Sequence, residues 1–153
     1  MVEEGVTAPA FSLPAAGGVT LSLADYAGKW VVLYFYPKDN TPGCTTEAKD
    51  FSELLQEFAA RNAVVIGASK DSVKKHDNFR EKQGLSVELV SDETGELCEA
   101  YGVWVEKKLY GKTYMGIQRA TFLIDPGGKV VKVWPKVKVK GHAGEVLGEI
   151  PVR

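Results

Sequence analysis

The run WVVLYFYPKDNTPGCTTEAKDF, residues 30–51, decides the fold. Its first third, Trp30 to Tyr36, is apolar without interruption, which suits a strand covered on both faces rather than on one. Its last third opens a helical stripe, Ala48 and Phe51 continued by Leu54, Leu55 and Phe58, with Glu47, Lys49, Asp50, Glu53 and Glu57 mostly on the polar side. Between the two, Thr41 is suited to cap the helix and Pro42 to take its first position, where a missing N–H costs nothing. A buried strand that turns directly into a helix is the opening unit of an α/β fold.

Working outward, FSLPAAGGVTLSL (11–23) reads as two short strands around the Gly17–Gly18 turn, an N-terminal hairpin. AVVIGAS (63–69) reads as a buried strand and DSVKKHDNFREKQG (71–84) as a polar helix ending at Gly84. VELVSD (87–92) is a further strand, followed by a short helix around ETGELCEAYG (93–102). GIQRATFLIDPGGKVVKVW (116–134) gives two strands about a Pro-Gly-Gly turn, and GHAGEVLGEI (141–150) a last amphipathic helix. The order predicts an α/β, thioredoxin-like architecture: a central mixed β-sheet flanked by helices, with the hairpin at its start. Residues 1–153 read as a single domain, without repeats or linkers.

Composition narrows the function. The chain is 44% hydrophobic and 25% charged, with a formal net charge of -1, so nothing draws it globally to nucleic acid or to an anionic membrane. The alternating Lys and Val of KVVKVWPKVKVKG (129–141) read as a protected edge strand rather than a nucleic-acid patch. No apolar run is long enough to span a bilayer, and MVEEGVTAP lacks the basic and apolar regions of a targeting signal, so a cytoplasmic protein is expected. There both cysteines, Cys44 and Cys98, would rest as thiols. His76 and His142 have no metal-ligand spacing with either and read as solvated helix residues. Trp104, Tyr110, Tyr114 and Met115 are open to core packing or to lining an entrance.

Cys44 falls in the first turn of the predicted helix, where free backbone N–H groups and the positive end of the dipole favour a thiolate. From position alone it could equally be a small apolar residue that starts the buried stripe, seven positions before Phe51. Arg119, alone at the head of an apolar strand, would by itself be read as a surface residue. Alternation nevertheless places it on the strand face of Thr121 and Leu123.

The residues Pro37, Thr41 and Cys44, in the setting YFYPKDNTPGCTTEA, resemble the Pro-x-x-x-Thr-x-x-Cys signature of peroxiredoxins, closest to the bacterioferritin comigratory protein or peroxiredoxin Q subgroup. VVIGASKDSVKKHDNF, LVSDETGELCEAYGVW, YGKTYMGIQRATFLIDPGGKV and VKGHAGEVL resemble that subgroup in order, over nearly the whole chain. The resemblance implies a thiol peroxidase acting on hydrogen peroxide and organic hydroperoxides without metal or organic cofactor. Cys44 would become a sulfenic acid; Thr41, Arg119 and the Gly43 amide would bind the peroxide, and Pro37 would shield the sulfur. Thioredoxin, glutaredoxin or a small thiol would reduce it, and a monomer or weak dimer is implied.

The sequence departs from the subgroup in one respect. Many members carry a second cysteine five positions after the first, and here that position is Lys49; others carry it in the next helix, yet 71–83 contains none. Cys98 remains as a possible resolving thiol, although it also reads as a small buried residue beside Leu97 and Tyr101. The expectation is a one-cysteine peroxidase reset by an external thiol, with a two-cysteine enzyme using Cys98, or a non-catalytic thioredoxin-fold binding or holdase module, as alternatives. A disulfide reductase would need Cys-x-x-Cys where this chain has CTTE.

Overall fold

The computed structural model describes residues 1–153. Its strands are β1 (Ser12–Ala15), β2 (Val19–Ser22), β3 (Trp30–Phe35), β4 (Ala63–Ser69), β5 (Glu88–Ser91), β6 (Trp104–Leu109), β7 (Lys112–Ile117), β8 (Ala120–Ile124) and β9 (Val130–Trp134). Its helices are α1 (Pro42–Glu53), α2 (Leu55–Ala60), α3 (Val73–Gln83), α4 (Glu96–Tyr101) and α5 (His142–Gly148). Seven strands form one mixed sheet in the order β2, β1, β5, β4, β3, β8, β9, and β6 pairs only with β7.

The strand β3 sits where its composition demands. It is parallel to β4 and antiparallel to β8, and Val31 to Phe35 are all buried. Alternate residues feed two cores on opposite faces of the sheet. Val32, Tyr34 and Tyr36 pack with Ala48, Phe51 and Phe58, whereas Val31, Leu33 and Phe35 pack with Leu97, Tyr101 and Phe122. The first face carries α1 and the second α4. No helix is long and apolar enough to cross a membrane.

Sheet direction then assembles a single edge. Because β3, β4 and β5 are parallel, the segments after Phe35, Ser69 and Ser91 all leave the sheet at the same end. Because β8 is antiparallel to β3, with Phe35 opposite Ala120, the residue before β8 arrives at that end too. Arg119 therefore precedes the strand rather than heading it.

Several expectations change in detail. The predicted stripe from Ala48 to Phe58 is broken at Leu54, which ends α1 and precedes α2. The β6–β7 hairpin was not legible as strands, and it leaves Tyr110 96% exposed, with Tyr114 and Met115 also exposed rather than in the core. Its tight turn takes positive φ at both Tyr110 (51°) and Gly111 (77°), the geometry of a two-residue hairpin. Strand β9 is indeed an edge strand, but it stops at Trp134, before the last lysines of its run.

Candidate active site

The loop from Tyr36 to Thr41 joins the buried end of β3 to the first turn of α1, where Cys44 is only 1% exposed. Arg119, delivered by β8, donates from Nη2 to Cys44 Sγ at 3.2 Å and from Nη1 to Glu47 Oε1 at 2.6 Å. The guanidinium thus spans two side chains of one helix face, and Gly43 leaves room for it: a Cβ there would lie 3.3 Å from Nη2.

Glu47, expected with the charged residues mostly off the apolar stripe, is instead 2% exposed. Its position three residues after Cys44 puts it on the buried face with Ala48 and Phe51, and the ion pair with Arg119 makes burial tolerable. Burial pushes its carboxyl up to about 7, against the pull of Arg119. Glu47 Oε2 and the buried Tyr34 hydroxyl have no hydrogen-bond partner.

Thr41 holds the N-cap position with extended backbone, yet its side chain makes no capping bond. The loop turns tightly through Asn40, at φ 60°, and the Thr41 hydroxyl donates back to Lys38 O at 2.8 Å. Three groups are left without helical partners. The amides of Gly43 and Cys44 in the first turn have no acceptor four residues back, and Thr41 Oγ1, its hydrogen committed to Lys38, keeps lone pairs free to accept. Pro37 is exposed at the head of the loop. Lys107, on the β6–β7 hairpin, is held below the ordinary lysine range by burial and by Arg119.

The second thiol is elsewhere. Cys98, on α4, is fully buried in the core of the opposite sheet face. The amides of Leu97 and Cys98 donate to the Asp92 carboxylate at 3.1 and 2.9 Å, and burial followed by the Asp92 hydrogen bond pushes the thiol well above the ordinary cysteine range. Lys49 is exposed on α1.

Neither histidine is solvated, contrary to expectation. His76 is 0% exposed because α3 turns it and Phe79, three residues on, toward the sheet. His142 is 4% exposed at the start of α5, hydrogen-bonded through Nε2 to Thr121 Oγ1 at 2.8 Å and edge-on to Phe51 and Trp134. Burial lowers its pKa to about 4. His76 brings ligand-type atoms to within 4.8 Å of Asp39 and Asp71, but those atoms are engaged with one another and with Tyr36, Ser69 and backbone groups. That leaves the cluster poorly suited to a cation.

The model of the AhpC/TSA family matches residues 5–133. The chain is 53% identical over 146 residues to the peroxiredoxin Bcp of Bacillus subtilis, covering 95% of this chain and 93% of that one. It is 42% identical over 146 residues to the peroxiredoxin Bcp of Escherichia coli, covering 95% and 94%. Among solved structures, peroxiredoxin Q of Xanthomonas campestris superposes with a TM-score of 0.86 at 54% identity, covering 90% of this chain and 87% of that one. A further structure with a TM-score of 0.86 is of the Xanthomonas campestris bacterioferritin comigratory protein, described in terms of its alkyl peroxide reduction activity.

Proposed function

The chain belongs to the AhpC/TSA family and is a peroxiredoxin, a thiol-dependent peroxidase, and from that premise we propose that Cys44 is its peroxidatic thiol, acting within a single catalytic domain of residues 1–153 and reset by an external thiol. The observation that carries this reading is the contact of Arg119 Nη2 with Cys44 Sγ at 3.2 Å.

In the first step the Cys44 thiolate attacks the terminal oxygen of ROOH. The S–O bond forms as O–O breaks; sulfur is oxidised to the sulfenic acid, and the leaving RO⁻ takes up the proton that ionisation of the thiol released. Arg119 keeps its charge at any working pH, so it balances the thiolate and then the negative charge that moves onto the peroxide oxygens. The free amides of Gly43 and Cys44 add donors for that charge. Thr41 Oγ1, its own hydrogen given to Lys38 O, accepts from the peroxide O–H and so orients the terminal oxygen toward sulfur. Pro37 closes the loop side against bulk water. Hydrogen peroxide and organic hydroperoxides both fit this chemistry, because only the O–O–H end is engaged.

In the second step an external thiol condenses with the sulfenic acid, releasing water and leaving a mixed disulfide, which a second thiol resolves. Thioredoxin, glutaredoxin or a small thiol could supply these equivalents. Support for an external thiol comes from Lys49 and from Cys98, which is buried across the sheet, deprived of thiolate character, and bound to Asp92 through its own amide. Family membership sets aside a non-catalytic module. The test is peroxide consumption with dithiothreitol or thioredoxin: Cys44→Ser abolishes it and Cys98→Ser leaves it intact, whereas equal loss in both variants makes Cys98 the resolving thiol. We also read the protein as cytoplasmic and as a monomer or weak dimer.

A further inference from the structure

The first step expels RO⁻, a strong base that must gain a proton as the O–O bond breaks, and the groups already placed around the sulfur are poor donors of one. Arg119 holds its protons at any working pH. The Thr41 hydrogen is given to Lys38 O, and the amides of Gly43 and Cys44 do not ionise. Glu47 is 2% exposed and bound through Oε1 to Nη1 of the guanidinium. The leaving oxygen, by contrast, lies opposite the sulfur and carries R out toward solvent, because Cys44 itself is 1% exposed.

A further cation approaches from the β6–β7 hairpin. Strand β7 ends at Ile117 and continues through Gln118 into Arg119, so the base of the hairpin stands at the sheet end that carries the site. In the hairpin register Lys107 lies opposite Tyr114, and Val105 opposite Gly116. Those four residues share one face, while Glu106 and Lys108 take the other. Lys107 is half-buried between these two exposed neighbours.

Its stem leaves its own rung and leans across to Gly116, two residues nearer Arg119. A Cβ at Gly116 would lie 3.2 Å from Lys107 Cδ and 3.4 Å from Cε, with the Tyr114 ring also at 3.4 Å. Gly116 therefore opens a lane for the lysine stem, and the lane runs toward the reacting centre. Arg119 is paired with Glu47, whereas no carboxylate pairs with Lys107. Burial and the charge of Arg119 lower the pKa of Lys107 against the opposing pull of Cys44, which brings the ammonium closer to releasing a proton at working pH.

We propose that Lys107 is the general acid of the first step, donating a proton from its ammonium to the leaving oxygen as O–O breaks. The terminal O–H stays whole and becomes the hydroxyl of the sulfenic acid. Both electrons of the O–O bond pass to the leaving oxygen, an N–H bond of Lys107 breaks, and ROH departs. Once an external thiol has restored Cys44 as a thiol, its ionisation returns the proton to the neutral amine. Lys107 is thus the carrier of the proton that the peroxidase reading moves from thiol to alcohol, and the proposal rests on that reading.

The test compares two oxidants on the full-length reduced protein by single-turnover oxidation of Cys44. tert-Butyl hydroperoxide expels a strongly basic alkoxide; peracetic acid expels acetate, which is stable without a proton. Lys107→Met should slow the first reaction by about 10²-fold, the usual contribution of a positioned acid, and leave the second within about threefold of wild type. Lys107→Arg keeps the charge but yields no proton, so it should show the same split. Equal losses with both oxidants, rates near wild type with both, or recovery of the hydroperoxide rate in Lys107→Arg overturn the proposal, the last by reducing the residue to a charge. Should Lys107→Met fail to fold, Lys107→Arg decides alone. A wild-type protein whose Cys44 reacts with neither oxidant refutes the peroxidase assignment, and the acid falls with it.

Discussion

Arg119 Nη2 lies 3.2 Å from Cys44 Sγ across a separation of 75 residues. The contact exists only because β8 returns antiparallel to β3 with Ala120 opposite Phe35. If the guanidinium stabilises the transferring oxygen, Arg119→Lys keeps the charge but loses the fork that joins Cys44 to Glu47. The second-order rate constant for peroxide is expected to fall by about 10²-fold, the usual cost of one donor at a site of developing charge. A rate constant within about threefold of wild type would remove Arg119 from the mechanism.

Gly43 offers a sharper probe of the same contact, since a methyl there would sit 3.3 Å from Arg119 Nη2 and must displace it. The position lies in an ordinary helical turn, so Gly43→Ala should fold normally and melt close to wild type. Its peroxide rate constant should nevertheless drop by about tenfold or more, because small displacements at a reacting centre are costly. Parallel melting and stopped-flow measurements check this, and full activity would show that the guanidinium tolerates displacement.

Packing makes a contrasting prediction at Gly67 in β4. A Cβ there would come within 2.7 Å of the Tyr34 ring and 2.9 Å of Leu89, both fully buried. Gly67→Ala should destabilise the protein by about 1–3 kcal/mol, the typical cost of overpacking, which corresponds to roughly 2–4 °C in Tm per kcal/mol for a chain of this size. Denaturant melts measure it; a neutral effect would mean that Tyr34 can move aside.

Two buried groups shift stability in opposite senses with pH. Glu47, raised to about 7, binds its proton more tightly folded than unfolded, so it favours the folded state at low pH and that contribution is lost as pH rises through about 7. His142, lowered to about 4, stays neutral when the unfolded chain would protonate, so its contribution is present above about 6.5 and is lost as pH falls toward 4. Between pH 4.5 and 6.5 the two slopes oppose each other. Relative to wild type, Glu47→Gln should therefore lose stability on acidification, and His142→Gln should gain it. Chemical denaturation across that range tests both signs, and parallel curves for all three proteins would contradict the assignment.

Much of this was legible from local pattern. The apolar run of β3, the Pro42 helix start, the Gly84 cap of α3 and the Pro-Gly-Gly turn before β9 each carry their own physical signal, and the resemblance around Cys44 placed Arg119 beside the sulfur. What escaped depends on tertiary placement. Glu47, His76 and His142 are polar residues whose burial is made possible by partners distant in sequence: Arg119, Asp39 and Thr121 respectively. The i, i+3 spacing of Glu47 from Cys44 was the one available clue, and its charge outweighed it. The β6–β7 hairpin escaped because its lysines, tyrosines and threonine pack little core. Only Tyr110-Gly111, a pair able to take two positive φ values, marked the turn.

The central claim is that Cys44 alone carries the oxidising equivalent until an external thiol arrives. Its most direct test is mass spectrometry of the reduced protein treated with one equivalent of hydroperoxide in the presence of a sulfenic-acid trap. The predicted result is a trapped sulfenic acid on Cys44 with Cys98 still a free thiol. An intramolecular disulfide between Cys44 and Cys98, or oxidation that spares Cys44, would contradict it.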